Sequence, residues 1–177
     1  LEGLDFAAEL QSNFIIIVND NDMSIAENHG GLYQNLALLR KTDGQAECNL
    51  FKAMGLDYVY VDRGNDVAAL IKAFKEVKDS TKPVVVHINT LKGKGYAPAE
   101  KCKEQWHYSG PFDIETGKPL FDNVEEDYSS VTGEYLLEKM KNDSSVVAIT
   151  SGTPTVMGFT EDKRKEAGSQ FVDVGIA

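Results

Sequence analysis

The sequence is short of the residues that would point to several functional classes. Its two cysteines, Cys48 and Cys102, lie far apart and have no partner at metal-ligand spacing. That leaves free thiols in a reducing compartment or a single long-range disulfide. No apolar run approaches the length of a membrane-spanning helix, and no signal-peptide pattern is found, so neither membrane nor secreted character is expected. Cations are scarce as well: 18 Lys and Arg against 28 Asp and Glu give a formal net charge of −10. This balance argues against non-specific binding to nucleic acid or to an anionic membrane. The expectation is a soluble cytoplasmic protein. Its 177 residues, 42% of them hydrophobic, are enough to bury a core. An initiating Met is missing too. The chain opens at Leu1 within a helical spacing (Leu1, Leu4, Ala8) and stops at Ala177 just after a strand-like run. These ends predict a portion of a longer protein.

What is present is organised around one turn. Phe14-Ile15-Ile16-Ile17 is a dense β-branched run, expected to be a strand over 13–18 buried on both faces. It ends in Asn19-Asp20-Asn21-Asp22, four residues rich in oxygen donors, and in open α/β sheets ligands bind beyond the carboxyl ends of strands. Downstream, the spacing predicts a helix over 31–41 and a short one near 47–54 that ends at Gly55. A strand over 57–61 comes next. Asp66 is expected to cap a helix over 67–78, with Leu70, Ile71, Phe74 and Val77 inward. A strand over 84–89 completes a βαβ pattern, so the fold class is α/β with a parallel sheet.

Beyond Thr90 the pattern loosens. Lys92-Gly93-Lys94-Gly95-Tyr96 reads either as a solvated connector or as a loop whose glycines admit a ligand to the backbone and whose lysines suit an anion. Residues 97–127 carry Pro98, Pro111 and Pro119 without sustained periodicity, as a long functional loop or linker would. Within them, His107 lies between Trp106 and Tyr108, packed at a contact or serving a site. A second α/β unit then starts near Asp127: a helix to about Lys141 capped by Ser129 or Ser130, a buried strand over 145–150, a charged helix over 161–167 stopped by Gly168, and a strand over 170–174.

Four of these stretches together resemble one family. Asn19-Asp20-Asn21-Asp22-Met23-Ser24-Ile25, Lys92-Gly93-Lys94-Gly95-Tyr96-Ala97-Pro98-Ala99-Glu100, His107 followed by Pro111-Phe112-Asp113, and Asp173-Val174-Gly175-Ile176-Ala177 resemble motifs of the 1-deoxy-D-xylulose-5-phosphate synthases, in the same order. The resemblance implies a thiamine diphosphate-binding fold. Residues 1–121 would be the C-terminal part of the diphosphate-binding domain with its linker, and 122–177 the N-terminal part of the pyrimidine-binding domain. It also implies that Asn21, through its side-chain oxygen, and Met23, through its carbonyl, ligate Mg²⁺, a cation that takes hard oxygen donors alongside phosphates. Asp20 and Asp22 are expected to bond within the turn instead.

By the same resemblance Tyr96 contacts the cofactor, Lys94 approaches its diphosphate, and His107 transfers a proton at the reacting centre. The metal-binding aspartate of the upstream half-motif would precede Leu1, and the cofactor-activating glutamate would follow Ala177, so this portion alone is expected to be inactive. The implied reaction joins pyruvate, with loss of carbon dioxide, to glyceraldehyde 3-phosphate in a homodimeric enzyme. One departure stands out: Arg63-Gly64-Asn65-Asp66 occupies the place of the family's Asp-Gly-His-Asp, which leaves room for another acceptor. Two alternatives remain, a transketolase-type ketol transferase and a non-catalytic phosphate-binding module.

Overall fold

The computed structural model describes residues 2–121 and 127–176. Leu1, the expected start of a second domain at 122, and Ala177 lie outside the described residues. The chain divides into two compact units. One holds the residues up to Asp22 together with Gly31–Lys101, and the other holds Met23–Gly30 and the residues from Cys102 onward.

In the first unit the elements are α1 (Glu2–Leu10), β1 (Ile15–Asp20), α2 (Gly31–Lys41), α3 (Leu50–Ala53), β2 (Asp57–Val61), α4 (Val67–Val77), β3 (Val84–Asn89) and α5 (Ala97–Lys101). The three strands form a parallel sheet in the order β1-β3-β2. Because side chains alternate along a strand, the register assigns two faces. One packs Ile16, Val18, Val85 and Tyr58 against Leu36, Leu39 and Phe51. The other packs Val61, Val84, Val86 and Ile88 against Ala73 and Val77 of α4.

Burial on both faces belongs to β3, not to β1 as expected. β3 is the central strand and is buried from Val84 to Ile88. β1 is an edge strand, and α4 packs on the opposite edge strand, β2. Ile15 and Ile17 are consequently exposed, Ile17 at 56%. A β-branched run reports hydrophobicity; the number of covered faces depends on neighbours. Ile71 is a second correction. It is half exposed, and the small Ala73 takes the core-facing place on α4.

Two short polar residues start two of the helices of this unit. Asn49 accepts from the amides of Phe51 and Lys52 to start α3, and Asp66, as expected, accepts from Ala68 and Ala69 to start α4.

The second unit contains α6 (Tyr128–Asn142), β4 (Ala148–Thr150), α7 (Glu161–Ala167) and β5 (Phe171–Asp173), with β4 and β5 paired in parallel. β4 is shorter than the expected strand over 145–150 and is not buried as expected: Val147 and Ile149 are exposed. Leu137, Met140, Phe159 and Ala167 form its core. The cap of α6 is Asp127 rather than a serine. Its carboxylate accepts from the Ser130 amide, while the Ser130 hydroxyl accepts from the Asp127 amide. Ser130 is therefore the third helical residue, the partner of the cap in the capping box. Gly158 closes against α6 so tightly that a Cβ would sit 1.9 Å from the Ser129 carbonyl oxygen.

Candidate functional site

Polar side chains cluster where β1 and β3 end. The two strands finish in register, Asp20 beside Asn89. Their following residues are sewn together: the Thr90 amide donates to the Asp20 carbonyl at 2.9 Å, and the Thr90 hydroxyl to Asn19 Oδ1 at 2.7 Å. The turn carrying Asn21 and the loop carrying Lys94 and Tyr96 thus leave one end of the sheet from neighbouring strands, where the fold class puts ligands.

Asp20 is the anchor of this end. It is 5% exposed. Its Oδ1 accepts from the Asp22 amide at 3.0 Å, and its Oδ2 accepts from Arg40 at 2.5 Å and from His87 Nε2 at 2.9 Å. Burial alone would raise this carboxyl, but the bonds from His87, Arg40 and the Asp22 amide outweigh it and hold the pKa at about 2. With Nε2–H donating to Asp20, His87 Nδ1 accepts from the Tyr58 hydroxyl at 2.7 Å. Burial, and then the charges of Tyr60 and Asp20, push the Tyr58 phenol well above its ordinary value, in keeping with its role as a donor. Arg40 reaches further. Its second terminal nitrogen donates to Asp22 Oδ1 at 2.5 Å. Asp22 itself has φ +65°, a left-handed conformation that aspartate tolerates better than most residues.

The Lys-Gly loop is a pair of tight turns. The Lys94 amide donates to the Leu91 carbonyl and the Tyr96 amide to the Gly93 carbonyl. Gly93 lies at φ +81° with its Cα against Ala99, where a Cβ would come within 2.7 Å of the backbone. Glu100 Oε1 accepts from the Gly95 amide at 2.9 Å and stands 4.0 Å from Lys94 Nζ. Lys94 is exposed and Tyr96 half-buried. At the departure from the family pattern, Asn65 Oδ1 accepts from the Leu91 amide at 2.8 Å, so this position holds the start of the loop.

The family resemblance implies that Asn21, Met23, Lys94, Tyr96 and His107 serve one site. Asn21, Lys94 and Tyr96 fall in the first unit, at the same end of its sheet. Met23 opens the other unit, which also holds His107. His107 is exposed and ends a 3-10 turn, with its amide donating to the Glu104 carbonyl. Glu104 forms a two-pronged pair with Arg164 at 2.8 and 2.9 Å. Trp106 and Tyr108, on either side of His107, line an open groove of about 410 Å³ with Phe112, Pro119 and Phe121. Asp173 ties together the loops after β4 and β5, accepting from the Gly152 and Gly175 amides.

No cluster of three or more His, Cys, Asp or Glu side chains suited to a metal occurs among the described residues. The carboxylates nearest Asn21 are engaged by Arg40 and His87, which leaves neutral amide and carbonyl oxygens as the turn's contribution to a hard cation. That donor set fits an ion that takes its remaining ligands from a diphosphate.

Arg40, Tyr58 and His87 were not legible in the sequence as a group. The one available signal was His87 itself, a lone histidine inside Val84-Val85-Val86-His87-Ile88, which a buried strand tolerates only with partners.

Comparison with known proteins gives a consistent result. A family model described as 1-deoxy-D-xylulose-5-phosphate synthase matches residues 1–49 and 41–90. The chain is similar to 1-deoxy-D-xylulose-5-phosphate synthase 1 of Geobacter sulfurreducens, 33% identical over 99% of this chain and 33% of the relative. The corresponding Listeria monocytogenes protein is 36% identical over 100% of this chain and 30% of its own length. For Yersinia pseudotuberculosis the values are 32%, 99% and 34%. The chain spans about a third of the length of the curated relatives it matches.

Proposed function

Because the chain belongs to the 1-deoxy-D-xylulose-5-phosphate synthase family, we propose that the protein containing it joins pyruvate to glyceraldehyde 3-phosphate. Carbon dioxide is lost and 1-deoxy-D-xylulose 5-phosphate is formed. Thiamine diphosphate, held with Mg²⁺, would supply the stabilised carbanion that links the two substrates. Asn21 and Met23 would offer their neutral oxygens to Mg²⁺. Lys94 would meet the diphosphate as a point charge, and Tyr96 would contact the cofactor beside it. His107, exposed and carried on a 3-10 turn, would give or take a proton at the acceptor carbonyl or its product hydroxyl.

The observation that carries this reading is the common exit of the Asn21 turn and the Lys94 loop from adjacent parallel strands, stitched by Thr90. A diphosphate requires cation ligands and basic or amide donors within its own short span, and neighbouring strand ends provide that proximity. The reading extends to a cytoplasmic homodimer, with residues 1–121 and 122–177 belonging to consecutive diphosphate-binding and pyrimidine-binding domains.

The test is incubation of the full-length protein with pyruvate, glyceraldehyde 3-phosphate, thiamine diphosphate and Mg²⁺. Carbon dioxide released in step with a five-carbon ketose phosphate is the expected result. Absence of carbon dioxide overturns it, and ketol transfer between sugar phosphates in the same protein would establish the transketolase-type alternative.

A further inference from the structure

The buried group at the end of β1 does something the proposed chemistry does not use. Arg40 grips the residues immediately before and after Asn21: one terminal nitrogen lies 2.5 Å from Asp20 Oδ2 and the other 2.5 Å from Asp22 Oδ1. A planar guanidinium presents its donors in a fixed fork, so bridging two carboxylates also fixes the separation between them. The residue between them is held in the span. Behind Asp20, His87 is 0% exposed and belongs to the central strand. Tyr58 on β2 orients its ring from the far side, and Phe51 and Tyr60 pack around it. A path of hydrogen bonds therefore runs from β2 through β3 to the turn after β1, across all three strands of the sheet.

Aspartate in the left-handed conformation at position 22 and a charged group buried at position 20 both cost free energy. A turn needed only to reverse the chain would require neither. We propose that Arg40, Asp20 and His87 are positioning residues for a divalent-cation site at Asn21. Arg40 fixes the backbone on either side of the ligand, and His87 ties that clamp to the rigid centre of the sheet. The inference rests on the reading that Asn21 is a metal ligand. It adds the supporting layer that holds such a ligand, whose loss in metal sites typically lowers affinity by about 10- to 100-fold.

The experiment uses the full-length protein with saturating thiamine diphosphate and Mn²⁺ as the probe. Free and bound Mn²⁺ are read by electron paramagnetic resonance, and thermal unfolding is followed in parallel. Asn21→Ala reports on the reading, Arg40→Met and Asp22→Asn on the clamp, and Val77→Ala on general loss of stability from the opposite face of the sheet. His87→Gln retains a donor toward Asp20.

The expected result is Mn²⁺ affinity lowered about tenfold or more by Arg40→Met. Asp22→Asn, on an exposed side chain, should lower it severalfold with little change in melting temperature. His87→Gln should stay closer to the parent than His87→Ala, and Val77→Ala should melt earlier but bind normally. If Asn21→Ala binds Mn²⁺ like the parent, the reading of Asn21 fails. If Asn21→Ala weakens binding while Asp22→Asn and Arg40→Met do no more than Val77→Ala, the positioning role is overturned. Should Arg40→Met fail to fold, Asp22→Asn decides the matter alone.

Discussion

At the scale of single residues, Asp20 concentrates more of the chemistry than any other side chain of the first unit. Its folded carboxyl titrates at about 2, against an ordinary value of 3.8. The stabilisation this represents is present in full above about pH 4 and is lost as the pH falls from there toward 2, because the unfolded chain takes up its proton first. Acid titration of thermal stability should show that loss, and Asp20→Asn should flatten it. Asp20→Asn should also destabilise the protein by about 3 kcal/mol in denaturant unfolding at neutral pH, since it removes the buried carboxylate that His87 and Arg40 share and leaves the half-buried guanidinium with Asp22 alone.

A different prediction concerns His107. It is exposed, so His107→Ala should leave the melting temperature within about 1 °C, consistent with the small effects of surface substitutions. Under the proposed function its turnover number should fall by about 100-fold, as loss of a general acid–base group does. Steady-state kinetics and calorimetry on the same variant separate the two effects.

At the scale of elements, the short connections have the strictest requirements. Gly64 follows β2 and lies against the end of β3, where a Cβ would sit 2.3 Å from Ile88 Cγ2 and 2.4 Å from the Asn89 carbonyl oxygen. Gly64→Ala must push these strand ends apart, and a cost of about 2–3 kcal/mol is expected from overpacking. The residues displaced would include Asn65, which holds the Leu91 amide and with it the start of the Lys94 loop. Asp66→Ala, by contrast, removes a helix cap at an accessible position and should cost about 1 kcal/mol. Urea unfolding of the two variants should rank them in that order.

The connection between α2 and α3 runs over residues 42–49. The two family matches overlap there, at 41–49. Here the connection closes tightly. The Gly44 amide donates to the Leu39 carbonyl, and the Thr42 hydroxyl accepts from the Ala46 amide.

At the scale of the whole molecule, burial is distributed unevenly. β3 is covered on both faces, whereas the paired strands β4 and β5 are three residues each and expose Ile149 and Val172. Hydrogen exchange should therefore be slowest in the amides of Val85, Val86 and His87 and markedly faster in β4 and β5, because a segment opens most easily where it buries the least apolar surface. Equal protection in the two sheets would contradict this.

Much of the molecule was legible in order along the chain. Strands at 57–61 and 84–89, helices at 31–41 and 161–167, and the cap at Asp66 depend on spacing and on side chains a few residues away. The motif around Asn21 was visible for the same reason. Coverage of β1 was not, because strand order and the position of α4 are set by which strands pair. Nor was the bond from Asp20 to His87, 67 residues apart in sequence, since a hydrogen bond across a sheet leaves no period in either segment. By itself the sequence determined an α/β fold and the turn that identifies the family. Only tertiary structure decided that Asp20 pairs with Arg40 and His87 as well as within its turn, that Arg40 spans Asn21, and that the central strand supports them, because a buried charge chooses its partners by proximity in space.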